Sequence, residues 1–208
     1  MELLFIRHAL PLRIEDTEGP ADPDLAEAGH HQARHLADYL AYERIHAVYA
    51  SPLRRAWQTA APVAERQGVE VVLTEGIAEY DREASEYIPV EQLKAEGHQT
   101  WSDILSGAAQ SSLGVDPAAF RVAIVEAVEE IIAAHPGEKV AAVCHGGVIN
   151  AYLSHILGIA EPSGFFYPNY TSIHRVAAAR SGERSVLTLN ETSHLRGTGL
   201  PVGLFGGS

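Results

Sequence analysis

Strand-like and helix-like segments alternate along this 208-residue chain, which predicts an α/β fold: three layers built on a mainly parallel central sheet. Two observations carry that expectation. Short, continuous apolar runs (ELLFIR, HAVYAS, VEVVL, KVAAVCH) read as buried strands. The stretches between them carry apolar residues at helical spacing.

Taken in order, ELLFIR opens the sheet. In DLAEAGHHQARHLADYLAYER, Leu25, Ala28, Ala33, Leu36, Ala37 and Leu40 mark one helix face, with Asp24 as cap and Glu27 closing a capping box. After HAVYAS, the run PLRRAWQTAAPVAERQG reads as a helix capped by Ser51, with Pro52 at its first position and a kink or end at Pro62. VEVVL is a third strand. From about 76 to 117 the periodicity fades into polar, turn-rich sequence, expected to form a lid or cap rather than sheet. AAFRVAIVEAVEEIIAAHPG is a helix stopped by Pro136 and Gly137, KVAAVCH a fourth strand, and GVINAYLSHILG a helix closed by Gly158. SIHRVAAA and RSVLTLN read as a last pair of strands. Residues 1–195 are thus expected to form one domain, and the glycine-rich 196–208 a tail that lies on the surface or frays.

Acidic residues outnumber basic ones by 27 to 15, a formal charge of -12. That balance argues against nucleic acid and anionic membrane as partners, since both need basic patches. An anionic ligand would have to be met by positive charge gathered locally. The single cysteine, Cys144, excludes a disulfide framework and a cysteine-rich zinc site, and as a residue of an apolar strand it reads as a buried, inert thiol. No apolar run is long enough for a bilayer and no signal-like segment opens the chain, so the expectation is a cytoplasmic protein.

Positive charge does gather. In open α/β sheets ligands sit beyond the carboxyl ends of the strands. The first strand ends in Arg7 and His8; the second runs into SPLRR, with Arg54 and Arg55 in a first helical turn; the fourth ends at His145, followed by Gly146 and Gly147. Cations in a first turn oppose the helix dipole at a cost of roughly 0.3–1 kcal/mol each. An anion shared between that helix N-terminus and an arginine removes the conflict. Two helix N-termini, several arginines and two histidines converging on one crevice describe a phosphate pocket. In such a pocket Arg7 is buried because its counter-ion is the substrate, and a neutral His8 can attack phosphorus.

The blocks FIRHA, DLAEAGHHQA, YASPLRRAWQTA and VCHGGVI, in that order and spacing, resemble the histidine phosphatase superfamily, the phosphoglycerate-mutase-like fold. The closing PNYTSIHRV and LTLNETSHL resemble its last strands, so the likeness spans about residues 3 to 195. The resemblance implies a phosphomonoester hydrolase acting on a small phosphorylated metabolite through a phosphohistidine at His8, with no cofactor and no metal. It implies that Arg7, Arg55 and His145 hold the phosphoryl oxygens, that Arg54 faces solvent, and that Glu79 of GIAEYD is the general acid, with Glu75, Glu83 and Glu86 as rivals. Gly146 adds a backbone donor. The chain departs from the family where Ala9, Leu10 and Pro11 follow the nucleophile and a phosphate-touching hydroxyl is lost. Ile14 replaces a commonly phosphate-contacting Asn, for which Arg13 is the candidate substitute, and Ala26 replaces a capping Thr. Alternatives within the same resemblance are a phosphoglycerate mutase and a non-catalytic phosphate-binding protein.

Other residues have blander readings. His31 and His35 have the i, i+4 spacing of a metal pair, and His30 is near them, but no supporting Glu or Cys pattern accompanies them, so a solvated helix face is expected. His174 and His194 are read as pocket rim or structure, and the family often has a histidine at the latter position. Tyr80, Tyr87, Trp101, Phe165, Phe166 and Tyr167 are candidates for a substrate entrance or for core. An apolar edge leaves room for a homodimer.

Overall fold

The computed structural model describes residues 1–159 and 166–204. Six strands form one sheet in the order β3-β2-β4-β1-β5-β6: β1 (Glu2–Arg7), β2 (Ala47–Ala50), β3 (Val71–Leu73), β4 (Lys139–Cys144), β5 (Ile173–Ala178) and β6 (Arg184–Glu191). The first four pair in parallel, and β5 and β6 join antiparallel beside β1. This is the doubly covered sheet that the continuous apolar runs predict.

Side-chain alternation along β1 shows why both faces must be covered. Leu3 and Phe5 join the core under α6 (Pro117–Ala134) and α7 (Gly146–Ile156). Leu4 and Ile6 join the opposite core under α1 (Glu27–Leu40) and α2 (Arg54–Gln67). All four are fully buried. No helix of the described residues is long and apolar enough to cross a membrane.

The helix starts differ from expectation. Ala26, not Asp24, is the N-cap of α1, and Asp24 instead accepts hydrogen bonds from Gln58 and Arg54. Leu53 caps α2, which frees the Ser51 side chain for another partner, and the helix runs through Pro62 until Gly68 ends it in the left-handed conformation. The 76–117 segment contains no named strand; it forms α3 (Val90–Glu96), α4 (Gln99–Ser106) and α5 (Ala109–Ser112). Its beginning is zipped to the loop after β1, where Ile14 and Tyr87 exchange backbone hydrogen bonds at 2.9 and 2.7 Å.

The described part of the tail lies along the surface, tied to the domain by two contacts. Pro201 O accepts from the buried Gln32 amide, and Val202 O accepts from Tyr170 N–H at 2.9 Å.

Candidate active site

Register builds the centre of the site. Arg7 lies opposite Cys144 in the parallel β1–β4 ladder, and His8 N–H donates to Cys144 O at 2.9 Å. The residues that follow, His8 and His145, therefore stand abreast, with ring centroids 5.2 Å apart. Both are buried.

His8 Nδ1 lies 2.8 Å from the carbonyl of Ala9, which can only accept, so Nδ1 carries the proton and Nε2 keeps its lone pair. Burial holds the His8 pKa well below the ordinary 6.5, and Arg7 and Arg55 push it the same way. The imidazole is thus neutral, in the tautomer a nucleophile at Nε2 requires. His145 is likewise kept neutral by burial, then by Arg55. Its Nε2 lies 2.8 Å from Ser51 Oγ, which itself accepts from Leu53 N–H. The Ser51 hydroxyl still has its own proton to donate to Nε2, the arrangement that places the His145 proton on Nδ1.

Each buried arginine lies against tyrosine rings. The Arg7 guanidinium stands 4.7 Å from the Tyr167 centroid and 4.5 Å from that of Tyr170, and Nη1 donates to Tyr167 OH at 2.6 Å and to Pro168 O at 2.7 Å. Arg55 stands 4.5 Å over Tyr87 and donates through Nη2 to Asp81 at 2.7 Å. Burial opposes the Arg55 charge, but Asp81 together with Tyr87 and Glu79 outweighs it and the guanidinium pKa rises. Arg7 Nε, Arg55 Nε and Nη1, and His145 Nδ1 are buried with no partner among the described residues. Orphaned buried donors are costly, and three neighbouring residues that keep four such nitrogens in reserve are suited to an anion with several oxygens.

Glu79 is buried beside them. Oε2 accepts from Gly147 N–H at 2.7 Å and Oε1 from Tyr80 N–H at 3.1 Å. Burial, followed by Asp81, pushes its pKa up to about 7 against those two donors and Arg55. A carboxyl that changes charge near neutrality suits an acid that must later act as a base.

The chain after His8 is held by buried helical side chains. Thr59 Oγ1 accepts from Ala9 N–H at 2.9 Å while donating to Arg55 O, and Gln32 Oε1 accepts from Leu10 N–H at 2.8 Å. Gly29 lets this loop lie on α1, since a Cβ there would stand 2.1 Å from Leu10 O.

Arg7, His8, Arg55, Glu79 and His145 come together as the sequence reading expects. Gly146 opens α7 on an unobstructed flank, where an added Cβ would meet nothing within 4 Å. Arg54 is half exposed and paired with Asp24. Arg13 is engaged by Glu15 at 2.7 Å and Glu96 at 2.5 Å rather than reaching toward the buried donors. His194 is one layer back: its Nε2 meets Thr171 Oγ1 at 2.9 Å, and Thr171 N–H points at His8 O, 3.5 Å away. His174 is structural, bonded to Ser172 and to Asn190 N–H. Cys144 is buried and burial raises its thiol pKa. Phe166 packs on His174, Trp101 lies near Lys94, and Phe165 lies outside the described residues. Sequence reasoning missed Ser51, Thr59, Asp81 and Gly147 as site residues. Two had a signal: Thr59 follows Arg55 by four positions on one helix, and Ser51 stands in the same block, where it read as a cap.

Comparison with known proteins identifies relatives over nearly the whole chain. The family model for the histidine phosphatase superfamily, branch 1, matches residues 3–192. Phosphoserine phosphatase 1 of Hydrogenobacter thermophilus is 26% identical over 200 residues, covering 94% of each chain. Phosphoglycerate mutase-like protein 4 of Arabidopsis thaliana is 27% identical over 197 residues, covering 91% of this chain and 84% of that one. Among solved structures, a phosphoserine phosphatase of Entamoeba histolytica in complex with phosphoserine superimposes with a TM-score of 0.73 at 25% identity, over 93% of this chain and 98% of the other. A mycobacterial glucosyl-3-phosphoglycerate phosphatase shares the fold at TM-score 0.73 and 20% identity, over 92% of this chain and 99% of its own. The chain belongs to the histidine phosphatase superfamily, branch 1.

Proposed function

We propose that this phosphatase hydrolyses the phosphate monoester of a small metabolite in two steps through a phosphohistidine at His8. In the first step Nε2 of His8 attacks phosphorus, the bond from phosphorus to the alcohol oxygen breaks, and protonated Glu79 gives its proton to that oxygen. In the second step the Glu79 carboxylate takes a proton from water, the water oxygen bonds to phosphorus, and the N–P bond breaks to restore neutral His8. Arg7 Nε, Arg55 Nε and Nη1, and His145 Nδ1–H receive the charge on the equatorial oxygens. Arg7 and Arg55 supply the positive charge the oxygens require, so no step calls on a metal.

The observation that carries the reading is the His8 tautomer: Nδ1–H held by Ala9 O, Nε2 free to attack, on a ring kept neutral by burial and two arginines. Relatives named as phosphoserine phosphatase and glucosyl-3-phosphoglycerate phosphatase support hydrolysis of small phosphorylated metabolites as the activity class. The test is hydrolysis of 4-nitrophenyl phosphate in chelator by the wild type beside His8→Ala. Turnover by the wild type alone is expected; equal turnover by folded His8→Ala removes the nucleophile, and loss of wild-type turnover in chelator removes metal independence.

A further inference from the structure

The two relatives named above take substrates that carry a carboxylate besides the phosphate, and such a group calls for an available cation near the pocket mouth. In this chain the arginines on the loops that frame the pocket are already paired with carboxylates. The buried site is framed by the loop 9–26, the first turn of α2, the loop 78–89, the first turn of α7 and the segment 166–171. Outside Arg7 and Arg55, those segments contain three basic residues: Arg13, Arg54 and Arg82. Arg13 is clamped by Glu15 at 2.7 Å and Glu96 at 2.5 Å. Arg54 is paired with Asp24 at 2.6 Å, and its backbone N–H donates to Asp22. Arg82 is paired with Glu75 at 2.9 Å and Glu83 at 3.3 Å. Arg196, the basic residue of the tail, stands ahead of the Pro201–Val202 stretch that reaches the pocket wall.

The frame is also strongly acidic. The loops 9–26 and 78–89 together carry nine acidic residues against Arg13 and Arg82. They are tied to one another, with Thr17 N–H on Ser85 O and Ala21 N–H on Ala84 O, so their charges are held side by side. On the Glu79 side, where the leaving alcohol must receive its proton, a cleft of about 480 Å³ is walled by Tyr80, Leu113, Val115, Phe120 and Ile124. Among the described residues that line it Arg82 is the basic one, and both of its carboxylate partners line the same cleft.

We infer that the alcohol part of the substrate carries no negative charge of its own: the site takes the phosphate monoester of an uncharged alcohol in preference to a carboxylated or bisphosphorylated metabolite. The inference rests on the phosphatase reading above. The phosphoryl group is held by donors left free for it, whereas a second anion would meet carboxylates and guanidiniums that are already satisfied. Glu15, Glu96, Glu75 and Glu83 are then the specificity-determining residues, acting by withholding Arg13 and Arg82.

The experiment compares kcat/KM for glycerol 2-phosphate, 3-phosphoglycerate and phosphoserine, with 4-nitrophenyl phosphate as the measure of phosphoryl transfer itself. Glycerol 2-phosphate is expected to exceed both carboxylated substrates by about tenfold or more. The double variants Glu15→Gln/Glu96→Gln and Glu75→Gln/Glu83→Gln each release one arginine, and are expected to raise kcat/KM for 3-phosphoglycerate several-fold while the aryl substrate stays within about twofold. A wild type that turns over the aryl phosphate but prefers either carboxylated substrate overturns the inference and leaves the phosphatase reading standing. So does a pair of folded double variants that gain nothing on 3-phosphoglycerate. Failure on all four substrates, the aryl phosphate included, brings down the phosphatase reading itself.

Discussion

Gly147 N–H donates to Glu79 Oε2 at 2.7 Å, and a Cβ on Gly147 would stand 2.2 Å from Oε1 of the same carboxylate. The second glycine after His145 is therefore the seat of the acid. Gly147→Ala is expected to push Glu79 out of place and cut kcat/KM for an alkyl phosphate by about a hundredfold, the usual scale for losing a positioned acid. An aryl phosphate, whose leaving group needs little protonation, should lose far less. Equal losses on both would show that Gly147 serves something other than the acid.

The raised Glu79 pKa fixes the pH profile. Phosphoryl transfer to His8 from an alkyl phosphate needs the protonated acid, so kcat/KM should fall as pH rises through about 7. His8 stays neutral well below its ordinary 6.5, so no matching fall is expected across the mildly acidic range. Asp81 is the second cause of the raised Glu79 pKa, after burial, so Asp81→Asn should move the alkaline limb to lower pH. The same shift has a stability sign. Folding favours protonated Glu79, so its contribution is fully present below 4.5 and is lost as pH rises through about 7, which thermal unfolding across that window can follow.

Ser51 Oγ stands 2.8 Å from His145 Nε2, so Ser51→Ala should leave a folded protein whose imidazole has lost the hydroxyl that can hold its proton on Nδ1. A loss of kcat of about tenfold to a hundredfold is expected, with nitrogen chemical shifts of His145 reporting the tautomer change. An unchanged tautomer with unchanged kcat would detach Ser51 from the chemistry.

Gln32 joins the nucleophile loop to the tail, through Leu10 N–H on one side and Pro201 O on the other. Gln32→Leu should lower kcat by about tenfold and speed amide exchange at Leu10. Gln32→Glu keeps the acceptor for Leu10, and should recover more of the activity than of the tail's order. If both variants behave alike, the tail and not the loop is what Gln32 serves.

What was legible in the sequence is what leaves a local mark. Continuous apolar runs marked the strands, because a sheet covered on both faces has no polar side. Arg7, Arg55 and His145 stood out because charge at a strand end or in a first helical turn is unfavourable without a ligand. Ser51 did not stand out: as a serine just before a helix it read as a cap, and only the β4 register that brings His145 beside it shows otherwise. Asp24 and Glu27 fit a capping box by spacing, yet Gln58 and Arg54, distant in sequence, hold Asp24 instead. The partners of Arg13 and of the tail leave no local mark for the same reason, since Glu96 and Gln32 reach them only in the fold.

The parallel pairing of β1 with β4, which sets His8 beside His145, has a kinetic consequence. His8 follows β1, while the groups that surround it come from α2, from the end of β4, from Tyr170 and finally from Val202, which holds Tyr170 N–H. Every one of those contacts closes a long loop, so the pocket cannot exist in an early, locally folded fragment. Recovery of turnover after dilution from denaturant should therefore trail recovery of helix signal, making activity a clock for the last docking event rather than for collapse.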